Sequence, residues 1–299
     1  MPSVLVSGST GFIGSALVSA LTAAGYTVRR LVRSERLRRP ADVLWDPVAG
    51  RLDAKSIDGV DAVVHLAGEP IAQRWTASAK QRIRESRVRG TELLATTLAS
   101  VPRPPRVMVS GSAMGIYGDR GDEILDEASS LGRGFLADVA REWEAATFPA
   151  ARAGVRVVHL RTGLVLSPRG GALAKLLLPF RLGLGGRIGS GRQWVSWIAL
   201  GDTVGAIRHA LSTEALYGPV NLAAPNAVTN AELAATLGRV LRRPAVLPVP
   251  AAALRLVFGE MGEATLLASQ RMRPRRLAET GYVFRHPLLE SALRGELAR

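Results

Sequence analysis

The chain has 299 residues, 39 Lys and Arg against 25 Asp and Glu for a formal charge of +14, 47% hydrophobic residues and no cysteine. That length is one large domain or two modest ones with ample material for a core, which excludes a disordered or fibrous chain. The missing cysteine excludes disulfides, thiolate metal sites, iron–sulfur clusters and a Cys nucleophile; the scattered His65, His159, His209 and His286 form no HExxH pair, so no metal site is expected.

In chain order, residues 3–7 read as a strand, 12–24 as a helix, 27–32 as a strand and 61–67 as a buried strand. A long helical pattern over 76–99 follows, then a strand at 106–112, a helix near 134–152 and a strand at 155–161. Strands alternating with helices build a doubly wound parallel sheet of the α/β class. Pro102, Pro104 and Pro105 stand where helix hands over to strand. After Thr162 the elements shorten and the connections become Gly- and Pro-rich, with a helix near 201–213 and further helical patterns from Thr229. The expected division is a nucleotide-binding domain over 1–163, with 197–222 returning to it, and a smaller lobe formed by 164–196 and 223–299. No apolar run approaches the roughly 20 residues of a membrane span. The first strand begins too early to leave room for a cleavable leader, so a cytoplasmic location is expected.

Gly8, Gly11 and Gly14 form GxxGxxG with Ser9, Thr10, Phe12 and Ile13 between them, where the first strand meets the first helix. There glycines allow a tight turn, close approach to a pyrophosphate and close helix–strand packing, and the helix N–H groups face the anion. An NAD site would place an acid at the end of the second strand, which reads TVRRLVRSER. Arg33 at that end can instead pair with a 2′-phosphate, so NADP(H) is favoured; Arg29 and Arg30 are either part of that site or plain surface. The strand 61–67 ends in HLAGEP, so Leu66, Ala67, Gly68 and Glu69 are expected along the cofactor, with Glu69 facing ribose or substrate or else capping the next helix. A second Gly-rich stretch, 183–191, follows a helix and precedes a strand, the reverse of a phosphate cradle, and reads as a loop over the substrate cleft. Arginines concentrate at 29–39 and 271–276 without interleaved aromatics in the sequence, which favours a solvated basic surface over a nucleic-acid site.

Taken together, GSTGFIG, LVR, HLAGEP, ESRVRGT, SGSAMGIYGD, LRTGLVLSP and PFRLGLGGRIGSGRQ resemble the extended short-chain dehydrogenase/reductases, and within them an atypical epimerase-like group. The resemblance covers essentially the whole chain, including a segment from about Pro244 that resembles a small domain of unknown function. It implies a Rossmann domain binding NADP(H), a C-terminal substrate lobe, a small-molecule substrate, and Arg87 of ESRVRGT near the cofactor. The family's YxxxK motif is missing: Tyr26, Tyr117, Tyr217 and Tyr282 are followed four residues later by Arg30, Gly121, Asn221 and His286, and Phe135 and Val139 stand in the matching helix. Ser112 matches the family serine. Tyr117, five residues on, is the nearest phenol, and is either a catalytic group with no Lys to lower its pKa or a tyrosine packed on the cleft wall. Trp143 and Glu144 are expected to hold their helix against a neighbour. Where relatives commonly read WIHxDD this chain has Trp197, Ile198, Ala199, Leu200, Gly201 and Asp202, with Asp202 expected to cap a helix from Thr203. Arg161, Arg192 and Gln193 are either contacts for an anionic or sugar-like substrate or surface pairs. Two functions fit: an oxidoreductase or epimerase-like enzyme acting on a small carbonyl or sugar-nucleotide compound through a relay at Ser112 and Tyr117, or a catalytically silent NADPH-binding sensor.

Overall fold

In β1 (Ser3–Ser7) the apolar run VLV leaves no side polar: Val4 and Val6 point to one face of the sheet and Leu5 to the other, as the two-residue period of a strand requires. A computed structural model describes residues 1–298, the side chain of Leu37 excepted. Val4 and Val6 join Val64, Val109, Val158 and Val220 beneath α1 (Phe12–Ala23) and α6 (Leu200–Ser212). Leu5 joins Val63, Met108 and Val157 beneath α2 (Ala77–Ser100) and α4 (Phe148–Arg152). Helices therefore cover both faces, and burial of these side chains at roughly 1.5–3 kcal/mol each holds the layers together.

The central sheet has eight strands in the order β12 (Gly218–Leu222), β8 (Arg156–Thr162), β6 (Val107–Ala113), β5 (Ala62–His65), β1, β2 (Thr27–Val32), β3 (Val43–Asp46) and β4 (Arg51–Leu52). All neighbours are parallel except β3 and β4. From β1 the chain moves outward through β2 and β3, then returns to place β5 on the other side of β1. This reversal opens a crevice at the carboxyl ends of β1 and β5, where ligands bind in such sheets.

The helical pattern over 134–152 is two helices, α3 (Phe135–Ala145) and α4, because Pro149 in the first turn of α4 cannot donate to a helix continuing from before it. Strand 61–67 ends at His65, and β3 and β4 were not expected. α6 begins at Leu200, so Asp202 lies in its first turn and does not cap it. Buried Asp202 instead accepts from the backbone N–H groups of Arg285 (2.8 Å) and His286 (2.9 Å), tying the C-terminal segment to α6.

A separate core joins the parallel pair β9 (Leu164–Leu166) and β11 (Trp197–Ala199) to α5 (Gly171–Arg181), α7 (Asn230–Leu241) and α11 (Leu289–Leu297), with Trp197 wholly buried in it. Thr229 and Glu232 close a capping box on α7. Short pieces complete the chain: β7 (Ile124–Leu125) beside β14 (Arg271–Met272), β10 (Trp194–Val195) beside β13 (Val228–Thr229), α8 (Ala251–Phe258), α9 (Glu260–Gly262) and α10 (Arg275–Glu279). Among the described residues no helix is long and apolar enough to cross a membrane, and no group of three or more His, Asp or Glu is placed to hold a metal ion.

Candidate cofactor and substrate site

The glycines after β1 are required by space. Gly8 has φ +65°, and a Cβ there would lie 2.7 Å from the Leu66 carbonyl carbon; a Cβ on Gly14 would lie 2.2 Å from the Gly8 oxygen. Gly11 caps α1 by backbone alone, and no side chain covers the first N–H groups of the helix. Ser9 is buried, Thr10 exposed, Ile13 packs on the core, and Phe12 lies against Gly170. A narrow cradle with free donors results, and its shape and chemistry suit a diphosphate.

The facing turn is fixed from beneath. Ser7 Oγ accepts from Leu66 N–H (3.1 Å) and Ala67 N–H (3.2 Å), which uses both of its lone pairs, so its own hydrogen goes to His65 Nδ1 at 2.7 Å. His65 Nε2 then carries the remaining proton toward Thr91 Oγ1 at 3.0 Å. The ring is wholly buried, and desolvation pulls its pKa down to about 4. Gly68 lies against the Arg87 guanidinium, which donates to the carbonyl of Glu69 at 2.9 Å and stacks on Trp143. Burial lowers the Arg87 pKa, opposed by the charge of Glu69. Glu69 does not cap α2, because Thr76 does, accepting from Ala79 N–H; the Glu69 carboxylate stays half-buried beside Gln73 and Arg82.

At the end of β2, Arg33 is exposed and makes no hydrogen bond or ion pair to a described residue. Arg29 and Arg30 are engaged elsewhere: Arg29 donates to the carbonyls of Ala41 and Ser56, and Arg30 pairs with Asp42. In the second basic cluster, Arg271 stacks on Trp194 and Arg276 on Tyr217, aromatics brought there by the fold from distant positions.

Ser112 is buried, and its hydroxyl donates to Glu144 Oε1 at 2.7 Å. Glu144 in turn receives both arms of Arg161, each at 2.9 Å. Burial pushes the Glu144 carboxyl up, but the hydrogen bonds and charge of Arg161 outweigh it and hold the group below the usual range. Arg161 also donates to Tyr117 Oη at 3.0 Å, and Tyr117 donates to Asn221 Oδ1 at 2.7 Å. Tyr117 is fully enclosed, and burial raises its pKa despite Arg161. Its hydroxyl is thus engaged inside the protein, the arrangement of the packed tyrosine and not of a phenol turned to substrate. Arg161 likewise belongs to this buried ladder and not to a substrate surface. Gln193 is engaged too, since its amide donates to the carbonyls of Ile188 and Leu266. Arg192 remains exposed.

Where the YxxxK pair would stand, Val139 is core, whereas half-buried Phe135 meets Trp75 edge to face at 5.0 Å. Lys80 lies over the Phe135 ring at 5.1 Å and pairs with Glu260, linking α2 to α9. Sequence reasoning missed this pair; that Lys80 is one of three lysines in the chain was the only signal. The 183–191 loop packs on residues 247–249, with Gly186 against the Leu247 backbone and Gly189 N–H donating to the Val249 carbonyl.

The model of the NAD dependent epimerase/dehydratase family matches residues 4–223, and that of a domain of unknown function, DUF1731, matches residues 249–295. Epimerase family protein Mb2239 of Mycobacterium bovis is 45% identical over 294 residues, covering 97% of this chain and 96% of its own. Epimerase family protein SDR39U1 of Homo sapiens is 40% identical over 296 residues, covering 97% and 98%. A crystal structure of the human protein with NADPH superposes with a TM-score of 0.90 at 38% identity, covering 99% of both chains. The chain belongs to the NAD dependent epimerase/dehydratase family, as an atypical short-chain dehydrogenase/reductase with a DUF1731 segment at its C-terminal end.

Proposed function

We propose that this chain binds NADP(H) and acts as an epimerase-like oxidoreductase on a small carbonyl or sugar-nucleotide substrate. The observation that carries the reading is the exposed Arg33 at the end of β2, without a hydrogen bond or ion pair to any described residue, beside a glycine cradle that side chains would fill. The NADPH held by the human relative supports it. In this reading residues 8–14 hold the diphosphate, Arg33 pairs with the 2′-phosphate, and Leu66, Ala67, Gly68, Glu69 and Arg87 line the cofactor. Residues 1–163 with 197–222 form the cofactor domain, and the remainder forms the substrate lobe.

Bound nicotinamide supplies or takes up a hydride. Ser112 is the group assigned to the substrate oxygen. Because its O–H already points at Glu144, the Ser112 oxygen can accept a substrate hydroxyl proton as its own passes to the carboxylate 2.7 Å away. Tyr117 acts on this pair only through Arg161, as a positioning residue.

Arg33→Glu is expected to weaken NADPH binding by at least about tenfold while leaving NADH affinity nearly unchanged, since a carboxylate repels the 2′-phosphate alone. Equal losses in calorimetry would remove Arg33 from the site. With NADPH-loaded protein, a carbonyl panel followed at the reduced-nicotinamide absorbance should show turnover, and Ser112→Ala should lower kcat by about 10²-fold or more with NADPH affinity retained. Silence across a broad panel with NADPH still bound would overturn the enzyme reading in favour of a sensor, and unchanged turnover in Ser112→Ala would overturn the relay.

A further inference from the structure

We propose a second ligand site, distinct from the cofactor crevice, on the outer face of α1 and α6, that takes a small phosphate ester carrying hydroxyl donors, such as a sugar or nucleoside monophosphate. A cavity of about 320 Å³ lies there, walled by α1, by the first half of α6, by the loop after β9 and by the C-terminal segment. This volume is within the range of small-molecule sites.

Three guanidiniums from three segments line it, Arg169, Arg208 and Arg285, and none makes a side-chain hydrogen bond or ion pair with a described residue. Arg239 and Arg294, by contrast, share an acid, Glu290. Three unpaired like charges around one hollow repel one another, and an anion that takes several forked N–H donors at once relieves that repulsion. Phosphate suits such forks better than a single carboxylate does.

The fourth polar group in the wall sets the ligand's other end. Glu296 is only 4% exposed, yet forms no ion pair with a described residue, and among the described residues its carboxylate accepts only a long bond of 3.4 Å from Gly201 N–H. A carboxylate in the cavity wall with unused acceptor capacity favours an occupant that brings donors, which sugar hydroxyls provide and inorganic phosphate at neutral pH provides poorly. Ala16, Ala20, Leu200 and Val204 supply an apolar floor for the carbon skeleton. Across Arg208 a second hollow, of about 420 Å³, is lined by Tyr26 and Tyr282, giving room for a base.

The test titrates ribose 5-phosphate, AMP and inorganic phosphate into the full-length protein by calorimetry, with Arg208→Glu/Arg285→Glu and Arg33→Glu variants in parallel. Both replaced arginines are exposed, so the fold should survive, which a thermal melt checks. The expected result is saturable binding of at least one ester, weaker by at least about tenfold for inorganic phosphate and for the double variant, and unchanged in Arg33→Glu. Tighter binding of AMP than of ribose 5-phosphate would identify a nucleotide as occupant, and equal binding a sugar phosphate. The proposal is overturned if neither ester binds at millimolar concentration, if inorganic phosphate binds as well as the esters, or if binding is kept in the double variant, which would place the ester elsewhere, the cofactor cradle included.

Discussion

Arg161→Met is expected to destabilise the native state by about 3–5 kcal/mol, the range seen when one partner of a buried ion pair is removed. Arg161 and Glu144 are both largely enclosed and joined by two bonds at 2.9 Å, and Arg161 also fills the acceptor site of Tyr117. Without the guanidinium, Glu144 keeps only the Ser112 hydroxyl at 2.7 Å against the full cost of burial. Urea unfolding should therefore show Arg161→Met worse than the double replacement Arg161→Met/Glu144→Leu, because the second change removes the stranded charge. Acid gives an independent check. In the native protein the lowered carboxyl of Glu144 contributes stability above its unfolded pKa, and that contribution is lost as pH falls through the folded value. In Arg161→Met burial, the largest influence on this carboxyl, is opposed chiefly by the Ser112 hydroxyl, so the carboxyl is expected to take up a proton more readily than in the unfolded chain and the deficit of the variant should shrink toward pH 4. A double variant less stable than the single one, or a deficit independent of pH, would show that the ladder owes its stability to something other than this pair.

The contrast between this ladder and the glycine cradle shows where a sequence is informative. Gly11 and Gly14 can be read locally, because the group that leaves them no room for a side chain, the Gly8 carbonyl, lies within the same seven residues, whereas Gly8 is crowded by Leu66 and Ala67 from the facing turn. The alternation of Val4, Leu5 and Val6 is equally local. The partners of Ser112 are not: Glu144 arrives on α3 from 32 residues away, and Asn221, which fixes Tyr117, from 104. Nothing in SGSAMGIYG marks the tyrosine as enclosed. Arg161 reads as a free cation at a strand end, and only the packing of α3 on β6 and β8 brings a carboxylate to it. The short β3 and β4 leave no mark in the sequence because two to four residues carry too little periodicity, whereas Pro149 does mark the start of α4. Arg169, Arg208 and Arg285 are unremarkable in a chain so rich in arginine, and only folding places them around one hollow.

The second large effect concerns His65, and its sign follows from burial. The ring is unprotonated in the fold, with a pKa near 4 against an ordinary 6.5, because desolvation penalises the imidazolium. Its neighbours are set for the neutral form as well: both lone pairs of Ser7 Oγ are occupied by Leu66 and Ala67, so a proton on Nδ1 would have no acceptor and would displace the serine that fixes the turn. A depressed histidine pKa means that the unfolded chain takes up the proton first. Stability from this residue is therefore fully present above about pH 6.5, falls as the unfolded form is protonated, and is gone once the folded pKa is passed, for a total of about 3 kcal/mol, of which roughly 2 kcal/mol is lost by about pH 5. His65→Asn retains an acceptor for Ser7 without a titrating ring. Carboxylates shared by both proteins cancel in the comparison, so the gap between their urea-unfolding free energies should close by about 2 kcal/mol between about pH 7.5 and about pH 5 in favour of the variant. Parallel pH profiles would mean that the ring is protonated equally in both states. The burial of His65 would then be a packing matter, with no hold over the turn that faces the phosphate cradle.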